Sequence, residues 1–171
     1  MADTTTAGEA RDLGARLAGK YMTFLLGRER YGLEILDVRE LIGLQEITRV
    51  PRTADFLRGV INLRGKVIPV VDLRLKFGME RCEATEQTVI IVVQCQVAGR
   101  ALTMGLLVDQ VLEVLAVGAG DVEPPPDVGH GAADARFILG VGKHAEHIVF
   151  LLDIARILSN GEAEELARAA A

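Results

Sequence analysis

Few residues in this chain of 171 are placed where they could do catalytic chemistry. His144 and His147, with Glu146 between them, carry donor atoms suited to a metal ion. They fall in a predicted hairpin turn, however, and the sequence positions no third ligand beside them. The single serine, Ser159, has no histidine close in sequence, which disfavours a serine nucleophile. We therefore predict a protein that is not an enzyme and that holds no metal or other cofactor.

Two glycine-containing stretches superficially resemble nucleotide-binding loops. Gly65-Lys66 would complete a phosphate loop only with Gly at position 60 and Ser or Thr at position 67, and both positions are Val. Gly118 and Gly120 lie in a long predicted loop and not between a strand and a helix, which excludes a dinucleotide fingerprint. No nucleotide site is predicted.

The bulk properties exclude several classes of protein. A net charge of −5 argues against a nucleic-acid surface, which requires clustered Lys and Arg. The longest apolar runs, Val89–Val93 and Ile148–Leu152, are too short to cross a bilayer, and the N-terminus does not resemble a secretory signal. Cys82 and Cys95 lack metal-type spacing and are interpreted as reduced thiols. We expect a cytoplasmic protein without direct membrane insertion or nucleic-acid binding.

Repeated apolar patterns divide the chain into two similar halves. One pattern starts at Gly32 and returns at Gly105. A second pattern runs from Gly59 to Asp72 and returns, with the same internal spacing, from Gly140 to Asp153. Two matching blocks, separated by a slightly longer stretch in the second half than in the first, indicate a duplicated structural unit.

Each half is predicted to contain five short strands and to end in a short helix. The sequence therefore predicts a mainly β protein with two small barrels, closed or nearly closed, because closure hides strand edges. We expect subdomain one at about 20–80 and subdomain two at about 86–158, interlocked through shared buried surface because either half alone would be marginally stable. The tails are placed at 1–18, with a helix fragment at 9–17, and at 159–171.

Local signals give five more detailed predictions. Arg64-Gly65-Lys66 should form the turn of a hairpin, and Asp72 should cap the short helix that follows it. Pro69 cannot donate to a ladder, so its strand should lie at an edge or expose that position. The remaining predictions are one helical turn at 54–57 and a long loop at 116–136.

The segment 59–74, with the sequence GVINLRGKVIPVVDLR, closely resembles the hallmark of the bacterial chemotaxis coupling protein family, CheW. The run 31–41 is similar to that family's other well-defined stretch, and the similarity extends from about Tyr21 to Leu158. The resemblance implies two SH3-like barrels of five strands. It also implies an adaptor that links the cytoplasmic tips of methyl-accepting chemoreceptors to the regulatory domain of the histidine kinase CheA. Such an adaptor is recruited to membrane-associated receptor arrays, or serves as the scaffold of a pathway for pili motility or development.

The resemblance also implies which residues bind each partner. The implied receptor-binding residues are Val38, Glu40, Leu41, Gly59, Asn62, Arg64 and Gly65 in the first half and Val89, Met104, Gly105 and Val114 in the second. The implied kinase-binding residues are Ile42, Gly43 and Ile47.

A receptor tip is a helical hairpin, and helices dock into grooves lined by aliphatic side chains. Several of the implied residues also have a purely structural interpretation. Gly59 and Gly105 would allow a partner backbone to approach closely, whereas Gly59 and Gly65 are also explained by turn geometry alone. Arg64 either pairs with a carboxylate across an interface or pairs internally with Glu40.

Overall fold

The structure is a computed structural model that describes residues 11–97, 99–125, 137–158 and 160–170. Ser159 and most of the long loop predicted at 116–136 lie outside the described residues, as do the first ten residues and the last one.

The described residues form two β-sheets, which confirms the mainly β prediction. The five-stranded sheet has the order β3-β6-β7-β5-β4, and the six-stranded sheet has the order β8-β1-β2-β11-β10-β9. The strands are β1 (Gly19–Leu26), β2 (Glu29–Glu34), β3 (Val38–Gly43), β4 (Leu57–Leu63), β5 (Lys66–Asp72), β6 (Val89–Val97), β7 (Arg100–Val108), β8 (Gln110–Val117), β9 (Val122–Glu123), β10 (Ile138–His144) and β11 (His147–Leu152).

The two halves of the sequence exchange their first hairpins. The hairpin β1–β2 of the first half joins the strands β8 to β11 of the second half, and the hairpin β6–β7 of the second half joins β3, β4 and β5. The sheets therefore do not coincide with the segments 20–80 and 86–158, because each sheet draws strands from both. This exchange is the physical form of the interlocking that the sequence predicted.

The parallel strand pairs show that the two sheets are related by the repeat. Gly32 on β2 pairs with Leu151 on β11, and Gly105 on β7 pairs with Val70 on β5. The two glycines occupy the same place in the two copies of the first pattern, and Val70 and Leu151 occupy the same place in the two copies of the second. Both repeats thus place equivalent residues at equivalent points of their sheets.

The core is shared between the sheets. One cluster combines Phe24 and Leu33 of the six-stranded sheet with Ile91, Met104 and other buried residues of the five-stranded sheet. Each sheet also has a smaller apolar cluster of its own. The cluster of the six-stranded sheet includes Leu151, and the cluster of the five-stranded sheet includes Ile90 and Val70. Because the largest cluster spans both sheets, neither half could keep its apolar residues buried alone.

Both tails are more ordered than the sequence predicted. Residues 11–17 form a helix, α1, and Leu17 is buried in the core of the six-stranded sheet. The C-terminal residues form an 11-residue helix, α4 (Asn160–Ala170), whose Leu166 is fully buried in the shared core. The helix fragment predicted at 9–17 is present over 11–17, where Leu17 anchors it, whereas the tail predicted at 159–171 is a helix over 160–170 that Leu166 anchors.

The short helices follow the sequence prediction. They are α2 (Leu73–Lys76) and α3 (Ile154–Ile157), each capped by the aspartate that precedes it. The carboxylate of Asp72 accepts a hydrogen bond from the amide of Leu75, and that of Asp153 accepts one from Ala155. The repeated Asp is thus a helix cap in both halves.

Three local predictions need correction. Strand β5 is an interior strand, and Pro69 on it is buried. The proline is tolerated although it has no N–H to donate, because the pairing of β5 with β7 begins one residue later, at Val70. Residues 54–57 form a turn and the start of β4, not a helical turn. The segment predicted as loop from 116 begins instead with the end of β8 and continues through a 3-10 turn into β9.

Candidate functional site

The hairpin β4–β5 ends in a tight turn that projects Arg64 from the five-stranded sheet. Leu63 pairs with Lys66, so the turn consists of two residues, and both have positive φ: 51° for Arg64 and 88° for Gly65. Positive φ at both central positions is the pattern of a type I′ turn, which matches the twist of a hairpin. Asn62 stabilises the turn because its Oδ1 accepts a hydrogen bond of 2.8 Å from the amide of Gly65.

Arg64 forms a two-pronged ion pair with Glu40 on β3. Its Nη1 lies 3.2 Å from Oε2 of Glu40, and its Nη2 contacts Oε1. The pair is internal, which was one of the two interpretations left open by the sequence. The side chain of Arg64 is nevertheless 73% exposed, so its guanidinium remains accessible to a further acceptor.

Two exposed aliphatic side chains belong to the strand and the hairpin that this ion pair joins. Leu41, next to Glu40 on the edge strand β3, is 43% exposed, and Val67, which pairs with Asn62 across the hairpin, is 47% exposed. The sequence did not identify Val67, because the continuous apolar run 67–71 has no alternation that would show which residues face outward. We call the set Glu40, Leu41, Asn62, Arg64, Gly65 and Val67 the hairpin rim.

Three of the residues assigned to receptor binding are buried and are not surface residues. Met104 is part of the shared core. A Cβ on Gly59 would lie 2.1 Å from the carbonyl oxygen of Thr48, and a Cβ on Gly105 would lie 2.6 Å from a side-chain carbon of Ile90. The expectation that these glycines admit a partner backbone is therefore wrong, because this chain itself fills the space.

The other aliphatic residues assigned to receptor binding differ in exposure. Val38 and Val89 are half-buried and pack against the shared core. Val114 is 46% exposed on β8, at the edge of the six-stranded sheet. Only Val114 among these three presents a substantial apolar surface.

The residues assigned to kinase binding lie in and just after β3. Ile42 is half-buried and packs against the core of the five-stranded sheet. Gly43 is exposed, and no atom lies within 4 Å of the position that a Cβ would take there. Ile47 is half-buried and lines a surface groove. Gly43 and Ile47 are thus accessible, while Ile42 mainly supports the strand.

The six-stranded sheet carries the apolar residues of the hairpin rim and the equivalent of Glu40, which is Glu113, but it lacks the arginine. Val114 is the repeat equivalent of Leu41, and Ile148, which is 56% exposed, is the equivalent of Val67. At the position equivalent to Arg64 stands Ala145, which has a similar φ of 53°. Glu146, at the position equivalent to Gly65, does not have positive φ, so only the first turn position repeats the geometry, and Ala145 cannot form the ion pair.

A second ion pair fixes the junction between the sheets. Asp109, between β7 and β8, accepts two hydrogen bonds from Arg74, at 2.7 and 2.6 Å, and one of 2.7 Å from the amide of Gly27. Burial alone would raise the pKa of Asp109, but these hydrogen bonds and the positive charge of Arg74 lower it below its usual value.

The two histidines considered as metal ligands belong to one hairpin. His144 and His147 face each other across the hairpin β10–β11, and both are exposed. Among the described residues, no group of three His, Cys, Asp or Glu side chains is arranged to hold a metal ion. Burial, followed by the charges of Asp37 and Asp153, raises the pKa of the Cys95 thiol to about 11. None of the described helices combines the length and hydropathy needed to cross a bilayer.

Comparison with known proteins identifies relatives along most of the chain. Residues 20–162 match the family described as "CheW-like domain". "Chemotaxis protein CheW" of Klebsiella aerogenes is 36% identical over 149 residues, which are 87% of each chain. The protein of the same name from Treponema pallidum is 31% identical over 154 residues, which are 85% of each chain.

A solved structure shows the same architecture. The chain resembles the crystal structure of the scaffolding protein TtCheW from Thermoanaerobacter tengcongensis with a TM-score of 0.74 and 35% sequence identity. The match covers 86% of this chain and 97% of that one. It agrees with the interpretation of the two sheets as SH3-like subdomains.

Proposed function

The chain belongs to the CheW family, and on this premise we propose that it is a non-enzymatic adaptor that couples methyl-accepting chemoreceptors to the histidine kinase CheA in chemotaxis signalling arrays. The observation that carries the proposal is the extent of the match, because it runs from β1 through α3 and includes the whole hairpin rim.

The hairpin rim is the proposed contact for the receptor tip. Leu41 and Val67 offer aliphatic surface to the apolar stripe of a helix, while Arg64 offers donors to a carboxylate at its edge. Val114 extends the contact on the six-stranded sheet. The buried residues of the implied set, Gly59, Met104 and Gly105, act through the fold, since they hold the strands that present the rim.

The kinase contact is proposed at Gly43 and Ile47, with Ile42 supporting the strand from inside. Gly43 ends β3, and Ile47 lies in the segment that follows it, so both are close along the chain to Glu40 and Leu41 of the rim. One stretch of chain would thus contact two partners. Recruitment to membrane-associated arrays then follows from contact with the receptors.

Co-sedimentation tests this proposal. The chain would be mixed with the CheA-like kinase of its own genome and with vesicles that carry one of that genome's methyl-accepting receptors. We expect all three proteins to sediment together and the kinase to be stimulated only when the chain is present. Sedimentation of the kinase with receptors that does not depend on the chain would contradict the proposal.

One relative favours a second candidate function. Protein FrzA of Myxococcus xanthus is 30% identical over 159 residues, which are 90% of this chain and 94% of that protein. The same fold could therefore serve a chemosensory pathway for pili motility or development. Deletion of the coding gene separates the two candidates, because loss of swimming chemotaxis supports the first and loss of surface motility or development with normal swimming supports the second.

A further inference from the structure

A groove of about 800 Å³ opens beside β4, between the loop 49–55 and helix α2. Four of its lining residues are arginines, Arg49, Arg52, Arg58 and Arg81, and the only carboxylate among the lining residues is Asp55. Its volume falls in the range of ligand-binding clefts, about 300–1,000 Å³. This concentration of positive charge stands out in a chain whose net charge is −5.

Three of the four arginines are unpaired within the described part of the chain. Arg58 is held in place by Asp72, at 3.1 Å, and Asp72 is buried. Arg49, Arg52 and Arg81 have no hydrogen bond or ion pair to any described residue. Three guanidinium groups without acceptors, lining one groove, favour a ligand with several negative charges.

The loop that forms one wall is strained and braced. Arg52 has φ of 61°, which a residue with a Cβ rarely adopts. Helix α4 stabilises the next part of the loop, because the amide of Ala54 donates a hydrogen bond of 3.0 Å to Oε1 of Glu165. Backbone strain is retained where surrounding contacts hold it and is common at ligand-binding sites.

We propose that this groove binds an extended acidic segment of a protein partner. Besides the arginines, its lining includes the aliphatic residues Ile47, Val50, Leu57 and Leu75, which suit a peptide that alternates carboxylates with apolar side chains. Its lining residues include no aromatic ring on which a base could stack, which disfavours single-stranded nucleic acid.

This inference goes beyond the proposed function, because Arg49, Arg52 and Arg81 belong to neither the receptor set nor the kinase set, although Ile47 of the kinase set also lines the groove. It assigns these arginines to a contact that depends on charge, whereas the one arginine of the hairpin rim is already paired with Glu40. Binding at the groove should therefore weaken with salt more steeply than assembly through the rim.

Fluorescence anisotropy with a labelled synthetic peptide tests the proposal. The probe is a short peptide in which glutamate alternates with leucine and glycine, and its matched control replaces every glutamate by glutamine. The groove variant carries Arg49→Gln, Arg52→Asn and Arg81→Gln, with Asn chosen because it tolerates positive φ. The control variant replaces three exposed arginines elsewhere, Arg16→Gln, Arg28→Gln and Arg100→Gln.

We expect the full chain to bind the glutamate peptide at least about tenfold more tightly than the glutamine peptide. The groove variant should lose this preference, and the control variant should keep it. Thermal unfolding of all three proteins would establish that they are folded.

The proposal is overturned if the chain shows no preference for the glutamate peptide, or if both variants lose that preference equally. It is also overturned if inorganic phosphate or single-stranded DNA displaces the peptide at a lower concentration than a second acidic peptide does. Because no receptor or kinase is present, the outcome is independent of the proposed adaptor function.

Discussion

Arg64 and Glu40 join the two edges of the five-stranded sheet. Glu40 lies on β3 at one edge, and Arg64 follows β4 at the other, so their ion pair requires the sheet to curl until its edges meet. Thr48 closes the same seam by exchanging two backbone hydrogen bonds of 2.8 Å with Val60 on β4. The exposed arginine assigned to receptor binding therefore also marks where the barrel closes.

Replacing Arg64 should impair assembly much more than folding. Exposed ion pairs contribute about 0–1 kcal/mol, so Arg64→Ala should lower the free energy of unfolding by less than about 1 kcal/mol. Receptor binding should weaken about tenfold, the equivalent of ~1.4 kcal/mol. Urea unfolding and co-sedimentation with receptor vesicles measure the two effects.

Arg28→Ala, in the exposed turn between β1 and β2, is the control and should change neither. Unfolding of the Arg64 variant, or unchanged receptor binding, would show that the assigned role is wrong.

Gly59 should be required for stability and not for partner contact. Its φ is 142°, and a Cβ would lie 2.1 Å from the carbonyl oxygen of Thr48 in the barrel seam. Gly59→Ala combines backbone strain with a steric clash, so it should cost about 3 kcal/mol or more. Gly43→Ala is the matched control, because Gly43 is exposed, has ordinary φ and has no atom within 4 Å of the position that a Cβ would take. Equal free energies of unfolding for the two variants would refute this explanation.

The repeat in the sequence was sufficient to predict the elements but not their partners. Local patterns around Gly32, Gly105 and the two capping aspartates identify strands and short helices in each half, because strand alternation and helix caps are short-range properties. The exchange of the hairpins β1–β2 and β6–β7 depends on which distant strands pair. The apolar pattern shows how residues alternate along each strand but not which distant strands pair, so it does not distinguish the exchanged arrangement from an unexchanged one.

The candidate site was predicted only in part, because its local features have sequence signatures and its long-range contacts do not. Arg64 and Gly65 were recognisable because a two-residue turn has a strong local signature. Met104 was misassigned because exposure depends on which face of a strand meets the other sheet, and that is decided by the exchange. The arginine groove has no sequence signature, since Arg81 reaches it from a linker far from Arg49 along the chain.

Asp109 should make the stability of the chain depend on pH in the acidic range. Its folded-state pKa is lowered, so its charged form stabilises the fold above the unfolded pKa of about 3.9. This contribution is lost as the pH falls through the lowered value. Asp109→Asn should therefore cost about 1–2 kcal/mol at pH 7, and its difference from the natural chain should shrink below pH 4. Urea titrations across pH measure the difference, with the exposed Glu86→Gln as a control. A difference that does not change with pH would contradict the role of the charge.

Asp37 should lower the stability of the fold at neutral pH, which is the opposite of the effect of Asp109. Burial, followed by repulsion from Glu34 and Asp153, raises the pKa of Asp37, and the charge of Arg39 offsets this only in part. A raised folded-state pKa means that the charged carboxylate destabilises the fold above that pKa and that the penalty disappears as the pH falls through it. Asp37→Asn should gain up to about 1 kcal/mol at pH 7 and nothing near pH 3. Glu29→Gln, exposed at the start of β2, should show no such gain in the same urea titrations. A loss of stability at neutral pH would contradict the prediction.

Leu166 should show whether helix α4 is part of the folded domain. The helix carries mostly alanine and charged residues, and its Leu166 is fully buried in the shared core. Lys76 and Glu162 form an ion pair of 2.6 Å at its start, which alone would contribute little because the cost of removing both charges from water offsets their attraction. Leu166→Ala should therefore lower the free energy of unfolding by about 2–5 kcal/mol. Glu164→Ala, an exposed change on the same helix, should leave it within about 0.5 kcal/mol. If both variants unfold at the same urea concentration as the natural chain, α4 contributes nothing to the core, and the segment is a tail as the sequence first indicated.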